Sequence, residues 1–154
     1  MTDTDVRIVQ LEPMRVACAH GFGETPEIQA ADKVRAYAAS TGLALDDGAV
    51  RWFGFNNPNP SPGSPNYGYD FWITVGPDAE PEGDIKILEF AGGLYGVTRC
   101  EGLSRIGEVW MQLANWREES PYHTAHHQWL EELLTPPDVD YEDFVLDLYV
   151  PIAE

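Results

Sequence analysis

Two adjacent carboxylates, Glu131 and Glu132, stand in the run Trp129-Leu130-Glu131-Glu132-Leu133. A carboxylate among such apolar neighbours either faces water or sits at the base of a pocket, and spacing alone favours water. In a pocket it loses hydration, which raises its pKa. A bound organic cation restores the charged form, and each tryptophan or tyrosine face adds about 0.5–2 kcal/mol of cation–π attraction. Rings are plentiful: five Trp, seven Tyr and six Phe. Most must fill the core, and Phe53, Phe71, Phe90 and Phe144 are assigned there. Trp72, Tyr95, Trp110, Trp116 and Tyr149 are the candidates for lining a ligand groove. Tyr69 and Trp72 are read as leading into it, with Phe71 on the opposite strand face. Tyr67, in a proline-rich loop, is a candidate lid.

Other constellations carry less chemistry. His123-Thr124-Ala125-His126-His127 invites a metal reading, but His20 is the remaining histidine and no second cluster completes a ligand set. A polar loop near the pocket mouth is the better reading, and no metal is expected. Gly21-Phe22-Gly23 lacks the third glycine and the βαβ setting of a dinucleotide fingerprint. It reads as a flexible corner, and no cofactor is expected. No Gly-x-Ser-x-Gly or phosphate loop occurs. Cys18 and Cys100 lack a histidine partner in their sequence surroundings, so nucleophilic catalysis is not expected. They read as small buried thiols in a reducing cytoplasm.

The elements that must position these residues nearly repeat. Arg15 to Gly21 has a counterpart in Tyr95 to Gly102, with Val16 matching Val97 and Gly21 matching Gly102. Val6 to Leu11 and Arg15 to Ala19 read as a hairpin about Glu12-Pro13, and Ile85 to Phe90 with Leu94 to Arg99 as a hairpin about Gly92-Gly93. Thr25-Pro26-Glu27 starts a helix that Thr41-Gly42 ends, with Ile28, Ala31, Val34 and Tyr37 or Ala38 facing inward. Ser104 caps a second helix bearing Ile106, Val109, Trp110, Leu113 and Trp116 at three- and four-residue steps. Val50 to Phe55, Tyr69 to Val75 and Phe144 to Ile152 read as strands, and Trp129 to Leu134 as a short helix or irregular turn. Asn56 to Pro65 is a proline-rich loop and Gly76 to Gly83 a linker. The fold class is α+β: two pseudo-symmetric strand-strand-helix-strand repeats, about 5–76 and about 84–153, within a single domain. They form an antiparallel sheet with the helices on one face and a central ligand groove, the usual place for a small ligand. Trp72 then falls near the place that Tyr149 holds in the second repeat.

The charge narrows the partners. A formal net charge of -17 argues against direct nucleic-acid binding, which needs a basic footprint. It favours solubility and attracts cations. No run is long and apolar enough to span a membrane, and Met1 to Asp5 has no signal core, so a cytoplasmic protein is expected. Oligomeric state is not legible.

Several local patterns in this layout resemble the GyrI-like small-molecule-binding domains, also known as the effector-binding domains of AraC-type and multidrug-responsive regulators. The residues that carry the resemblance are Asn57-Pro58, Tyr69-Asp70, Gly92-Gly93-Leu94-Tyr95-Gly96-Val97, Trp110, Trp116, Trp129-Leu130-Glu131-Glu132 and Leu148-Tyr149-Val150-Pro151-Ile152. The match spans nearly the whole chain. It implies two β/α repeats around a central groove where a carboxylate in an aromatic pocket meets cationic or aromatic ligands. Glu131 is the better match to that carboxylate, Glu132 the alternative, and Tyr149 matches a pocket tyrosine. No helix-turn-helix segment is legible in these residues, so a built-in DNA-reading role is not expected. The leading expectation is therefore a stand-alone protein that binds hydrophobic, often cationic or aromatic small molecules, for sensing or sequestration. One alternative is a hydrolase of reactive electrophilic natural products, with Glu131 handling a water proton and Tyr149 donating to the leaving oxygen. The other is a protein-interaction module, such as a gyrase-modulating or regulator-partner protein.

Overall fold

Each half of the chain buries the middle of its inner strands on both faces, in runs such as Val16 to Ala19 and Leu146 to Ile152, and sets one helix on the sheet they make. The computed structural model describes residues 5–45, 50–57, 62–136 and 139–154. Residues 1–4 of the acidic start and 58–61 of the proline-rich loop, Pro58 included, lie outside the described residues. In chain order the elements are β1 (Arg7–Leu11), β2 (Met14–Gly23), α1 (Pro26–Thr41), β3 (Trp52–Asn56), β4 (Tyr67–Thr74) and β5 (Lys86–Phe90). They continue with β6 (Gly93–Glu101), α2 (Ile106–Glu119), β7 (His123–Thr124), β8 (Leu130–Leu133) and β9 (Val145–Ala153). The class is α+β, and every strand pairing described is antiparallel. Contacts gather the chain into two compact units, Met14–Phe90 and the segment through Pro13 together with Ala91–Glu154.

In the unit Met14–Phe90 the strands run β5-β2-β4-β3. β2 pairs with β4 from Val16↔Thr74 to Gly23↔Tyr67, and with β5 from Met14↔Phe90 to Cys18↔Lys86. Helix α1 lies on β2 and β4. Proline at its first position is pre-set for the helix. Thr25 gives no side-chain cap; its carbonyl accepts from the amides of Ile28 and Gln29 instead. Gly42 closes the helix at φ 76°, a left-handed conformation that glycine adopts without strain. The inward stripe is Pro26, Ala30, Ala31, Val34, Tyr37 and Ala38. Ile28 does not belong to it and is 61% exposed, because Pro26, Ala30 and Val34 at four-residue steps take the sheet-facing line. Gly21-Phe22-Gly23 is no flexible corner either. It continues β2, and the Gln29 side-chain amide clamps both the N–H and the C=O of Phe22. A Cβ on Gly21 would fall 2.2 Å from the Pro26 carbonyl oxygen, so glycine permits the close approach of α1.

The second unit has the same internal order, β1-β6-β9-β8, with β7 pairing beside the end of β9. Helix α2 covers β6 and β9. Cys100, Val109, Leu113, Leu146, Leu148, Val150 and Ile152 form its core, against which Ile106, Trp110 and Trp116 are partly buried. A 3₁₀ turn at Leu103–Arg105 precedes α2, and Ser104 donates to Glu142 Oε2 (3.0 Å) rather than capping the helix.

Neither expected hairpin forms. β1 pairs with β6, Arg7↔Val97 to Leu11↔Gly93, while β5 pairs with β2. Two-residue hairpins need positive φ, which the proline ring forbids to Pro13 and which no described non-glycine residue adopts. Once β1 lies along β6, that edge is closed to β5. The segment Trp129 to Leu134 is also not a helix or turn: it supplies β8, paired Leu130↔Tyr149 to Leu133↔Leu146. Phe53 and Phe71 are buried as expected, whereas Phe90 and Phe144 are half-buried at the margins. Tyr69 shares the face of Phe71, 5.0 Å between ring centroids, and not that of Trp72. Cys18 and Cys100 are both buried free thiols.

Candidate functional site

Strand periodicity separates the two glutamates. In β8, Leu130 and Glu132 share one face and Glu131 and Leu133 the other. Glu131 lies across from Leu148, on the side covered by α2, where Trp110 Nε1 donates to its Oε2 at 3.0 Å. The exposed ring of Trp129 stands 5.5 Å from that of Trp110. Glu132 lies across from Asp147 on the opposite face, where Tyr149 OH donates to its Oε1 at 2.6 Å. Glu132 is 7% exposed and Tyr149 3%. The expected partnership of Glu131 with Tyr149 in one pocket is therefore not the geometry found. Glu132 holds that partnership.

Tyr95 extends the Glu132 face, its ring edge-on to Tyr149 with centroids 5.4 Å apart. Its hydroxyl donates to the Gln128 carbonyl at 2.5 Å, and burial pushes its pKa up. His127 stands edge-on to the same ring at 4.8 Å, and its Nε2 donates to the Leu94 carbonyl at 2.7 Å. The histidine segment thus roofs Tyr95. Below Glu132, Asp147 accepts from Arg99 Nε (2.6 Å) and Arg7 (3.0 Å). Hydrogen bonding to Asp147, ahead of the nearby carboxylate charges, raises the Arg99 pKa, and Glu132 is among those charges. A buried carboxylate beside two rings and a hydroxyl donor offers charge in a poorly hydrated setting, which suits a large cation of low charge density better than a hydrated one.

The remaining candidates have other partners within their own units. Trp116 is pressed under β6, so close that a Cβ on Gly96 would fall 2.6 Å from its ring, and it stacks on Tyr122. Trp110 and Trp116 thus serve the α2 side, away from Tyr149. Trp72 belongs to the unit Met14–Phe90 and packs edge-on to Phe55. Its place does echo Tyr149, since Phe53 faces Trp72 as Leu130 faces Tyr149. Tyr67 is tied down, donating to the Glu27 carboxylate at 2.7 and 2.8 Å. Among the described residues no group of three metal-ligating side chains gathers, and no helix is long and apolar enough to cross a membrane.

The comparisons agree with this architecture. The family profile described as an integron-associated effector binding protein, Cass2, matches residues 7–152. No curated protein sequence matches the chain. Among solved structures, the C-terminal domain of EcmrR aligns with TM-score 0.72 at 11% identity, covering 98% of each chain. A hydrolase from Listeria innocua aligns with TM-score 0.71 at 12% identity, over 99% of this chain and 94% of that one. SAV2435 bound to tetraphenylphosphonium aligns with TM-score 0.59 at 14% identity, over 97% and 94%. At these identities the likeness establishes the fold.

Proposed function

The chain belongs to the integron-associated effector-binding family, of the GyrI-like kind, and from that premise we propose that it binds hydrophobic organic cations on the Glu132 face. Membership in an effector-binding family supports small-molecule binding in general. The observation that carries the finer reading is the buried Glu132–Tyr149 pair, 2.6 Å apart, beside the Tyr95 ring. Glu132 supplies the charge, and Tyr149 and Tyr95 supply ring faces and shape. A desolvated carboxylate attracts a cation more strongly than a hydrated one does. Neutral aromatic ligands gain the ring contacts but not the charge. Because Tyr95 is fully buried, entry requires the His127–Gln128 roof to open, with its bonds to Leu94 and Tyr95. The role that fits is sensing or sequestration of a drug-like or toxic compound.

Tetraphenylphosphonium against its neutral analogue triphenylphosphine oxide, followed by tryptophan fluorescence, tests this. Glu132→Gln is expected to weaken the cation tenfold or more and leave the neutral compound within about threefold, as loss of a charge partner worth about 1.5–3 kcal/mol requires. Glu131→Gln, on the other face, is expected to change neither by more than about threefold. Equal loss in both glutamate variants, or none in Glu132→Gln, refutes the assignment.

A further inference from the structure

The unit Met14–Phe90 holds a second buried carboxylate with a different set of partners. Asp70, in β4, is buried and lies directly across from His20 in β2. Its Oδ1 is 2.5 Å from His20 Nδ1. Its Oδ2 accepts from Asn57 Nδ2 at 3.1 Å and from the Cys18 thiol at 3.8 Å. The Asn57 backbone is itself fixed by the Gly68 carbonyl, and the His20 carbonyl by Lys33 Nζ at 2.7 Å. Burial first, and the Asp70 charge second, push the Cys18 thiol up to about 11, so the thiol keeps its proton and acts as a donor. Asn57 and Cys18 both give hydrogens to one carboxylate, which accepts from three sides. An ionised carboxylate can only accept, so the proton on neutral His20 belongs on Nδ1 and the lone pair on Nε2. His20 keeps 47% of its side chain exposed, so that lone pair is open to a reactant. Along β2 the next side chain on this face is Phe22, 53% exposed, and across Asp70 stands Phe55 of β3.

We propose that His20 is a general base for hydrolysis of activated aryl esters, with Asp70 as its positioning residue and Phe22 and Phe55 flanking the aryl group. A base must be held in one tautomer and within reach of a water, and the Asp70 network supplies the first condition. In the step, a water oxygen bonds to the acyl carbon while its proton passes to His20 Nε2. The bond from that carbon to the aryl oxygen then breaks, and the departing phenolate takes the proton back. The products are a carboxylic acid and a phenol, and Asp70 stays ionised throughout. In the other unit the corresponding cross-strand pair is Arg99 with Asp147, which neutralises the carboxylate without offering any base.

The test is p-nitrophenyl acetate hydrolysis by the whole chain, compared with N-acetylhistidine amide at equal concentration. The wild type is expected to exceed the free imidazole, to turn over without a burst, and to slow in D2O. His20→Gln is expected to lose about 100-fold or more of the excess rate, while His126→Gln keeps it. Added imidazole is expected to restore part of the rate to His20→Ala. Asp70→Asn is expected to lower kcat with KM little changed. ¹⁵N spectra of the wild type are expected to show His20 protonated at Nδ1, a readout that needs no variant to fold. A wild-type rate no better than free imidazole, a His20→Gln variant as fast as wild type, a burst from an acyl-imidazole, or a proton on Nε2 each overturns the proposal.

Discussion

Replacing Tyr149 by phenylalanine removes one hydroxyl from a site where both partners are buried, and its cost can be worked from the geometry. The ring stays, so no cavity forms and the contact with Tyr95 survives. What is lost is the 2.6 Å donor to Glu132 Oε1. A hydrogen bond to a charged group contributes about 1.5–3 kcal/mol, and here water cannot replace it freely because Glu132 is 7% exposed. For a chain of this size that loss lowers the melting temperature by roughly 3–12 °C, at about 2–4 °C per kcal/mol. Glu132→Leu removes the same bond from its other end. Each single variant thus breaks the one contact, so Glu132→Leu/Tyr149→Phe should be less damaging than the sum of the singles by about 0.5–3 kcal/mol. Urea unfolding of the four proteins, with m-values unchanged, measures that coupling. Additivity within about 0.3 kcal/mol would mean that the pair is geometrically close but energetically idle. The proposed cation site would then lose its premise.

Three further outcomes follow from other parts of the molecule. Gly21→Ala forces a Cβ to within 2.2 Å of the Pro26 carbonyl oxygen, a backbone atom that cannot swing away; thermal unfolding should show a loss of about 1–3 kcal/mol or more, and a neutral result would mean that α1 can lift off β2 at no cost. Cys18 is raised to about 11, and burial also raises Cys100, Tyr37, Tyr67 and Tyr95. These groups ionise more readily once unfolded, so the stability they contribute is complete below about pH 8.5 and is lost as pH climbs through the raised values; the urea midpoint should fall from there to about pH 11, and less steeply in Cys18→Ala. Tyr95→Phe frees the Gln128 carbonyl from its hydroxyl donor, so stopped-flow association of tetraphenylphosphonium should become faster with less change in the final amplitude; an unchanged rate would place the entry route elsewhere.

The parts of the fold legible in the sequence are those fixed by local chemistry. Pro26 and Gly42 mark the ends of α1 because one presets φ and the other tolerates its reversal. The stripe of Val109 and Leu113 places α2 because its period is helical. The strand exchange was not legible, since β1 and β5 have equally apolar edges and nothing local says which central strand each joins. β8 is not legible for a related reason: Leu130 to Leu133 is too short a run to distinguish period two from a helical turn. The choice between Glu131 and Glu132 turns on this, because neighbours in a helical turn point about 100° apart, whereas in a strand they face opposite sides. Residue type marks a ring as a candidate but does not say which sheet face it takes. Trp110 and Trp116 therefore fell to the helix side, and Tyr95 and Tyr149 to the other.

The two ladders carry the deeper consequence of the near-repeat. Each sets a buried aspartate on one of the two inner strands of its unit, across from a basic side chain on the other: Asp147 from Arg99, Asp70 from His20. Burying either carboxylate alone is costly, so a partner is a folding requirement and constrains both positions alike. The choice of partner is not constrained by folding in the same way. A guanidinium keeps its charge at every accessible pH and, with Arg7 added, locks Asp147 from two sides. An imidazole satisfies one carboxylate oxygen and leaves a second nitrogen outward, where it can exchange protons with solvent or ligand. The same backbone ladder thus meets one electrostatic demand in two ways, and only the histidine solution has chemistry to spare.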